Sequence, residues 1–211
     1  MKKLLTITAA ALMAISASAQ SEAGSFTLKP NVGFTYTTAT GDLGDGRDGA
    51  FALTAGVEGM YMVNEKFGAA LGLNYTGYNT SQEVYTSLDG DKKEDWIFSN
   101  YYFNIPVMAN YYVAPGFALK AGVALNILST AKIDGKDNLY NTKVKDGYKS
   151  TFFSIPVGAS YEINDFVFDA RYNFGVSKAA KGGDGSFNAL TFTVGYKFQN
   201  YTTTNIYRLA I

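Results

Sequence analysis

From Phe26 to Tyr36 every second residue is apolar, in the run Phe26, Leu28, Pro30, Val32, Phe34 and Tyr36, with Thr27, Lys29, Asn31, Gly33 and Thr35 between them. A period of two marks a β-strand whose two faces differ in chemistry. The second face is filled by Gly, Ala, Thr, Ser and Asn, and it carries too little charge for open water. The same alternation places strands at about 25–38, 50–63, 67–78, 97–112, 117–128, 151–163, 166–176 and 187–198. The joins between them alternate long and short, and the apolar face carries no charged residue on any strand. An Arg or Lys at the bilayer midplane of such a face would cost about 2–4 kcal/mol. The pattern therefore predicts an all-β fold, an eight-stranded antiparallel up-and-down transmembrane β-barrel with short periplasmic turns and long extracellular loops.

Aromatic residues mark both ends of these strands. Tyr61 and Phe67, Tyr111 and Phe117, and Tyr161 and Phe166 flank the short turns, with Phe26 and Phe198 completing a ring. Tyr36, Phe51, Tyr75, Tyr101, Phe153 and Phe174 form the second ring, so both headgroup levels are supplied with amphipathic side chains. The competing architecture is a soluble lipocalin-like barrel with the apolar face turned inward around a ligand. It would leave a surface much poorer in charge than soluble proteins carry, and it gives the paired rings no purpose.

The start of the chain predicts export. Lys2 and Lys3 precede an apolar run from Leu4 to Ile15, and Ala17-Ser18-Ala19 follows, which places a signal peptide at 1–19 cut between Ala19 and Gln20. The barrel then occupies 20–198, and 199–211 is a C-terminal tail on the periplasmic side. Without cysteine there is no lipoprotein attachment and no disulfide. With 18 basic and 18 acidic residues, the chain offers no electrostatic case for nucleic acid.

Chemistry is sparse. The chain has no histidine, which removes the usual base of acyl-transfer enzymes, so no catalytic activity and no cofactor are expected. Asp42, Asp45 and Asp48, and Asp89, Asp91, Glu94 and Asp95, lack the spacing of a calcium loop and read as polar turns rather than metal ligands. Seven charges fall within strands, all on the small-residue face: Lys29, Glu58, Lys120, Glu162, Asp169, Arg171 and Lys197. A buried ion is costly unless paired, so these residues predict a salt-bridge network low in a narrow lumen, closing it as a plug. Above them the same face carries Asn31, Thr35, Thr54, Asn74, Tyr102, Asn104, Asn126 and Asn173.

Phe103-Asn104-Ile105-Pro106-Val107 and Phe153-Ser154-Ile155-Pro156-Val157 repeat one template at an offset of 50 residues, and the prolines predict bulges or bends in the wall. With the closing Val194-Gly195-Tyr196-Lys197-Phe198, these strands resemble the outer membrane β-barrel domain proteins of Bacteroidota, a group that includes PorT-like proteins. The resemblance implies an assembly signal at Gly195, Tyr196 and Phe198 read by the barrel-assembly machinery. Gln199 to Ile211 extend past the aromatic residue at which typical members stop. The expected role is structural or surface-interacting through the loops, in contact with outer membrane lipid. Lys132, Lys136, Lys143, Lys145 and Lys149 of the third loop are candidates for lipopolysaccharide phosphates. The resemblance also suggests an accessory barrel of a secretion machine.

Overall fold

Amphipathic strands that must leave no backbone amide or carbonyl open to hydrocarbon have one common solution, pairing edge to edge until the sheet meets itself. The computed structural model describes residues 22–85, 93–134, 141–143, 147–181 and 183–200. Its strands are β1 (Phe26–Gly41), β2 (Asp48–Met62), β3 (Phe67–Gly77), β4 (Thr80–Tyr85), β5 (Lys93–Ala114), β6 (Phe117–Asp134), β7 (Asn141–Lys143), β8 (Thr151–Ile163), β9 (Phe166–Gly175), β10 (Gly185–Tyr196) and β11 (Phe198–Asn200). β1 pairs with β2 on one side and with β10 on the other, from Asn31 opposite Gly195 to Gly41 opposite Gly185. The order β1-β2-β3-β5-β6-β8-β9-β10 thus closes into an eight-stranded antiparallel barrel.

Three short strands extend the wall. β4 continues β3 past a break at Tyr78 and Asn79, β7 lies against β6, and β11 carries the chain past Lys197 along β1. The partners β4 and β7 allow β5 to start at Lys93 and β6 to run to Asp134, beyond the predicted limits near 97 and 128. Polar residues hide the strand signal there, because backbone pairing outside the bilayer needs no apolar face. Lys132, assigned from the sequence to a loop, is therefore a strand residue.

The short turns are built locally. Asn64 Oδ1 accepts from the amides of Lys66 and Phe67, both at 2.9 Å, and so holds the β2–β3 turn. Gly116 (φ 72°) and Asn164 (φ 54°) supply the left-handed residue of the other two.

Val32, Leu53, Val123 and Phe153 are 54–70% exposed on the outer wall, with the aromatic residues of both rings on the same face. That direction excludes the lipocalin arrangement, in which these side chains would fill the interior. Pro106 and Pro156 do not produce the predicted bulges. The β3–β5 ladder keeps one register from Leu71 opposite Val107 to Asn74 opposite Asn104, and β6–β8 does the same around Pro156. By register each proline faces a glycine on the preceding strand, Gly72 and Gly122. A Cβ on Gly72 would stand 2.8 Å from Pro106 Cγ, so the missing side chain is what lets the ring sit in an unshifted ladder. The true bulges in β5–β6 lie between Tyr101 and Tyr102 and between Tyr112 and Ala114.

Because the outer face meets hydrocarbon, Val123→Arg is expected to destabilise the folded barrel by about 2–4 kcal/mol, against about 0–1 kcal/mol for Val63→Arg beside the turn-end ring. Denaturant titration in lipid vesicles measures both.

Candidate functional site

The inward face of the wall is built in four layers. Nearest the short turns, Met60, Met62, Ala70, Met108, Tyr112 and Ala118 form a buried apolar floor. Around and above the floor lie Lys29, Glu58, Lys120, Glu162, Asp169, Arg171 and Lys197, every one of them buried. At the loop end Tyr78, Tyr102, Phe152 and Phe187 pack ring against ring, with centroids 5.0–6.3 Å apart, under Leu43, Tyr148, Ala179 and Ala180.

Five charges make one cluster. Lys29 Nζ donates to Glu58 Oε1 at 2.8 Å, and Lys120 Nζ bridges Glu58 Oε1 at 3.1 Å and Asp169 Oδ2 at 2.6 Å. Arg171 lies with Nε 2.6 Å from Asp169 Oδ1 and a terminal nitrogen 3.5 Å from Glu58 Oε2. Three cations against two anions leave this cluster one positive charge in excess. A second group stands apart from it: Lys197 Nζ donates to Glu162 Oε2 at 2.6 Å, and the Tyr112 hydroxyl donates to Glu162 Oε1 at 2.5 Å. Between the groups about 10 Å³ is free, the room of a single water, lined by Lys29, Glu58, Asn110, Tyr112, Glu162 and Lys197.

Above the charges runs a row of amides. Asn31 and Asn74 both face Gly56 in the ladder, Asn74 faces Asn104, and Asn104 faces Asn126, so one row crosses five adjacent strands. Asn104 Nδ2 donates to Asn126 Oδ1 at 2.8 Å, and Asn126 Nδ2 donates to Ser154 Oγ at 3.0 Å. The Tyr78 hydroxyl donates to the same Asn126 oxygen at 3.0 Å, which joins the amide row to the aromatic layer. A Cβ at Gly56 would meet Asn74 Oδ1 at 2.3 Å, so the glycine makes space for the amide to lie across it.

The sequence reading placed the charges, the amides and Tyr102 on the inner face, but it treated the rest of that face as small and polar. The methionine floor and the other members of the aromatic lid went unseen. Their signal was present, since Met60, Met62, Met108, Tyr112, Phe152 and Phe187 all fall in the polar phase of their strands. Large residues in that phase announce a bore filled by bulk as well as by charge.

The loops over the lid hold one another. Asp42 and Asp184 exchange bonds, the Asp42 amide donating to the Asp184 carbonyl at 2.7 Å and the Asp184 amide to Asp42 Oδ2 at 2.8 Å. Arg47 donates to the Tyr148 hydroxyl at 3.1 Å and stands 3.9 Å over the Phe98 ring. The Lys149 amide donates to the Ala179 carbonyl at 2.7 Å. Lys178 pairs with Asp184, and its hydrogen bond holds that carboxyl below the ordinary range. Asp42, weighed as a metal ligand and set aside, therefore serves as a loop clasp; Asp89 and Asp91 lie outside the described residues.

Of the remaining sequence-derived sites, Gly195 sits on the inner side of β10 against Lys29, while Tyr196 and Phe198 face outward with their rings 4.8 Å apart. Ala19 and Gln20 lie outside the described residues.

A closed wall that is greasy outside and filled inside is the architecture of a small integral outer membrane protein. The chain belongs to the outer membrane protein β-barrel domain family, whose model matches residues 7–198. Its fold is similar to that of Ail, the attachment invasion locus protein of Yersinia pestis, solved in complex with the heparin analogue sucrose octasulfate. That similarity covers 83% of this chain and 99% of that chain, at 15% identity and a TM-score of 0.50. Neisserial surface protein A is similar over 82% of this chain and 97% of its own, at 15% identity and a TM-score of 0.48. OprG of Pseudomonas aeruginosa is similar over 87% and 99%, at 16% identity and a TM-score of 0.44. No curated protein matches the chain significantly.

The charge excess makes the five-residue cluster asymmetric. Glu58→Gln strips the shared anion from Lys29, Lys120 and Arg171 and is expected to cost about 3–5 kcal/mol. Lys29→Met leaves two cations with two anions and is expected to stay within about 1 kcal/mol of the parent. Urea unfolding of the two variants, side by side in the same lipid, reads the difference.

Proposed function

We propose that this protein is a non-conducting structural barrel of the outer membrane whose contacts with the outside are made by the loop end. The observation that carries this reading is the filled bore: an aromatic lid, an amide row, a charge cluster and a methionine floor succeed one another. The space between the two charged groups would admit no more than one water. An eight-stranded wall encloses little more than its own side chains, and here those side chains interlock.

In this reading the chain is exported by the segment 1–19, cut between Ala19 and Gln20, and inserted by the barrel-assembly machinery through Gly195, Tyr196 and Phe198. The short turns and both termini, with the tail 199–211, face the periplasm. The clasped loops then form the outer surface, where they meet lipopolysaccharide or an anionic partner through lysines such as Lys149. The lack of a histidine base supports a non-enzymatic role. Membership among the Bacteroidota PorT-like barrels, and an accessory role in secretion, rest on the two Ile-Pro-Val strands and the closing Val194-Gly195-Tyr196-Lys197-Phe198.

The purified barrel in a planar bilayer is expected to show no steady open conductance, and a sustained ohmic channel would overturn the reading. Intact-protein mass spectrometry of outer membranes is expected to find a mature chain beginning at Gln20.

A further inference from the structure

We infer that the outer wall carries a binding groove for one phosphate-bearing membrane lipid, its acyl chain laid over Ala55 and its phosphate held by Lys132. The inference stands apart from whether the bore conducts, because it concerns only the outward face. The groove is open along the wall and offers about 570 Å³, within the range of small-ligand sites.

Its floor is Ala55, which the ladder sets between Val32 on β1 and Tyr75 on β3. A small residue between two large ones leaves a trough along the wall. Leu53 bounds one side. The other is a flat panel of two rings, Tyr75 and Tyr101, with centroids 5.1 Å apart and planes within 10° of parallel. Gly77 faces Tyr101 in the ladder, and a Cβ there would crowd the ring at 3.1 Å and meet Ala52 Cβ at 2.4 Å.

The polar end is made by a bulge. Along β6 the outward residues are odd-numbered as far as Ile127. The β5–β6 register then shifts, with Tyr102 opposite Leu128 and Tyr101 opposite Thr130, so that Ser129 is the extra residue. The phase is reversed beyond it. Ala131 turns inward and is buried, while Thr130 and Lys132 turn outward, where Lys132 faces Ser99 in the ladder. Without the bulge the even-numbered Lys132 would point into the lumen. Bulges of this kind re-aim side chains at sites.

The result is an apolar trough in the hydrocarbon, a tyrosine panel at the headgroup level, and a hydroxyl pair with an ammonium above it. A lipid with an anionic phosphate matches all three in one molecule. The trough is also continuous with the wall that the bilayer covers, so a lipid is the molecule already at hand.

Native mass spectrometry of the full barrel, released from mixed micelles holding phosphatidylglycerol and phosphatidylcholine with identical chains, tests this. The parent is expected to retain phosphatidylglycerol about fivefold over phosphatidylcholine, the preference that one lysine near a headgroup provides. Lys132→Gln is expected to bring the two lipids to parity, and Ala55→Phe, which fills the trough, to abolish retention of both. Heat-modifiable gel migration confirms that each variant is folded. Equal retention by the parent, full retention by Ala55→Phe, or a retained second copy of the chain in place of lipid would each overturn the inference.

Discussion

Hydrocarbon offers a backbone amide no partner, and the seam between β1 and β10 is where this chain answers that constraint. An open edge of ten or so residues at that depth would leave a row of donors and acceptors unpaired, each costing several kcal/mol. Closing the seam fixes the number of strands, and the number of strands fixes the bore. Eight strands leave a space that side chains alone can fill, so whatever points inward must pack, pair or hydrogen-bond with whatever points inward from the opposite wall. The charge cluster, the amide row and the two apolar layers are solutions to that single geometric demand.

Charge inside such a bore is tolerated only as a connected set. Glu58 and Asp169 come from β2 and β9; Lys120 of β6 and Arg171 of β9 each touch both, while Lys29 of β1 pairs with Glu58, so Lys120–Glu58, Lys120–Asp169 and Arg171–Glu58 link strands that are not neighbours in the ring. They oppose flattening of the cylinder, which backbone pairing between neighbours resists only weakly. A buried network of this kind gives shape more surely than it gives stability, since desolvation consumes much of the attraction.

Much of this was legible beforehand because the strand period reports directly on which face each residue occupies. Lys29, Glu58, Lys120, Asp169 and Arg171 could be assigned to the interior from parity alone, as could Asn74, Asn104 and Asn126. Parity says nothing about which residues meet across the ring, which depends on the stagger between strands, so the separation of Glu162 and Lys197 from the larger cluster needed the structure. Parity also fails beyond a bulge. Lys132 was placed in a loop because the ends of β5 and β6, outside the bilayer, lose the apolar alternation, and nothing in Leu128-Ser129-Thr130 marks the extra residue that sets the face it occupies. The prolines misled in the opposite sense: the ring of Pro106 is accommodated by Gly72 on another strand, a compensation visible only once the register is known.

Asp42, Arg47, Tyr148, Lys149 and Asp184 come from three separate connections, yet hydrogen bonds join them, so these parts of the three connections form one folded unit. Antibodies raised against it would read a composite epitope that no excised loop peptide reproduces. Sequence drift in any one connection would then be limited by the grip of the other two.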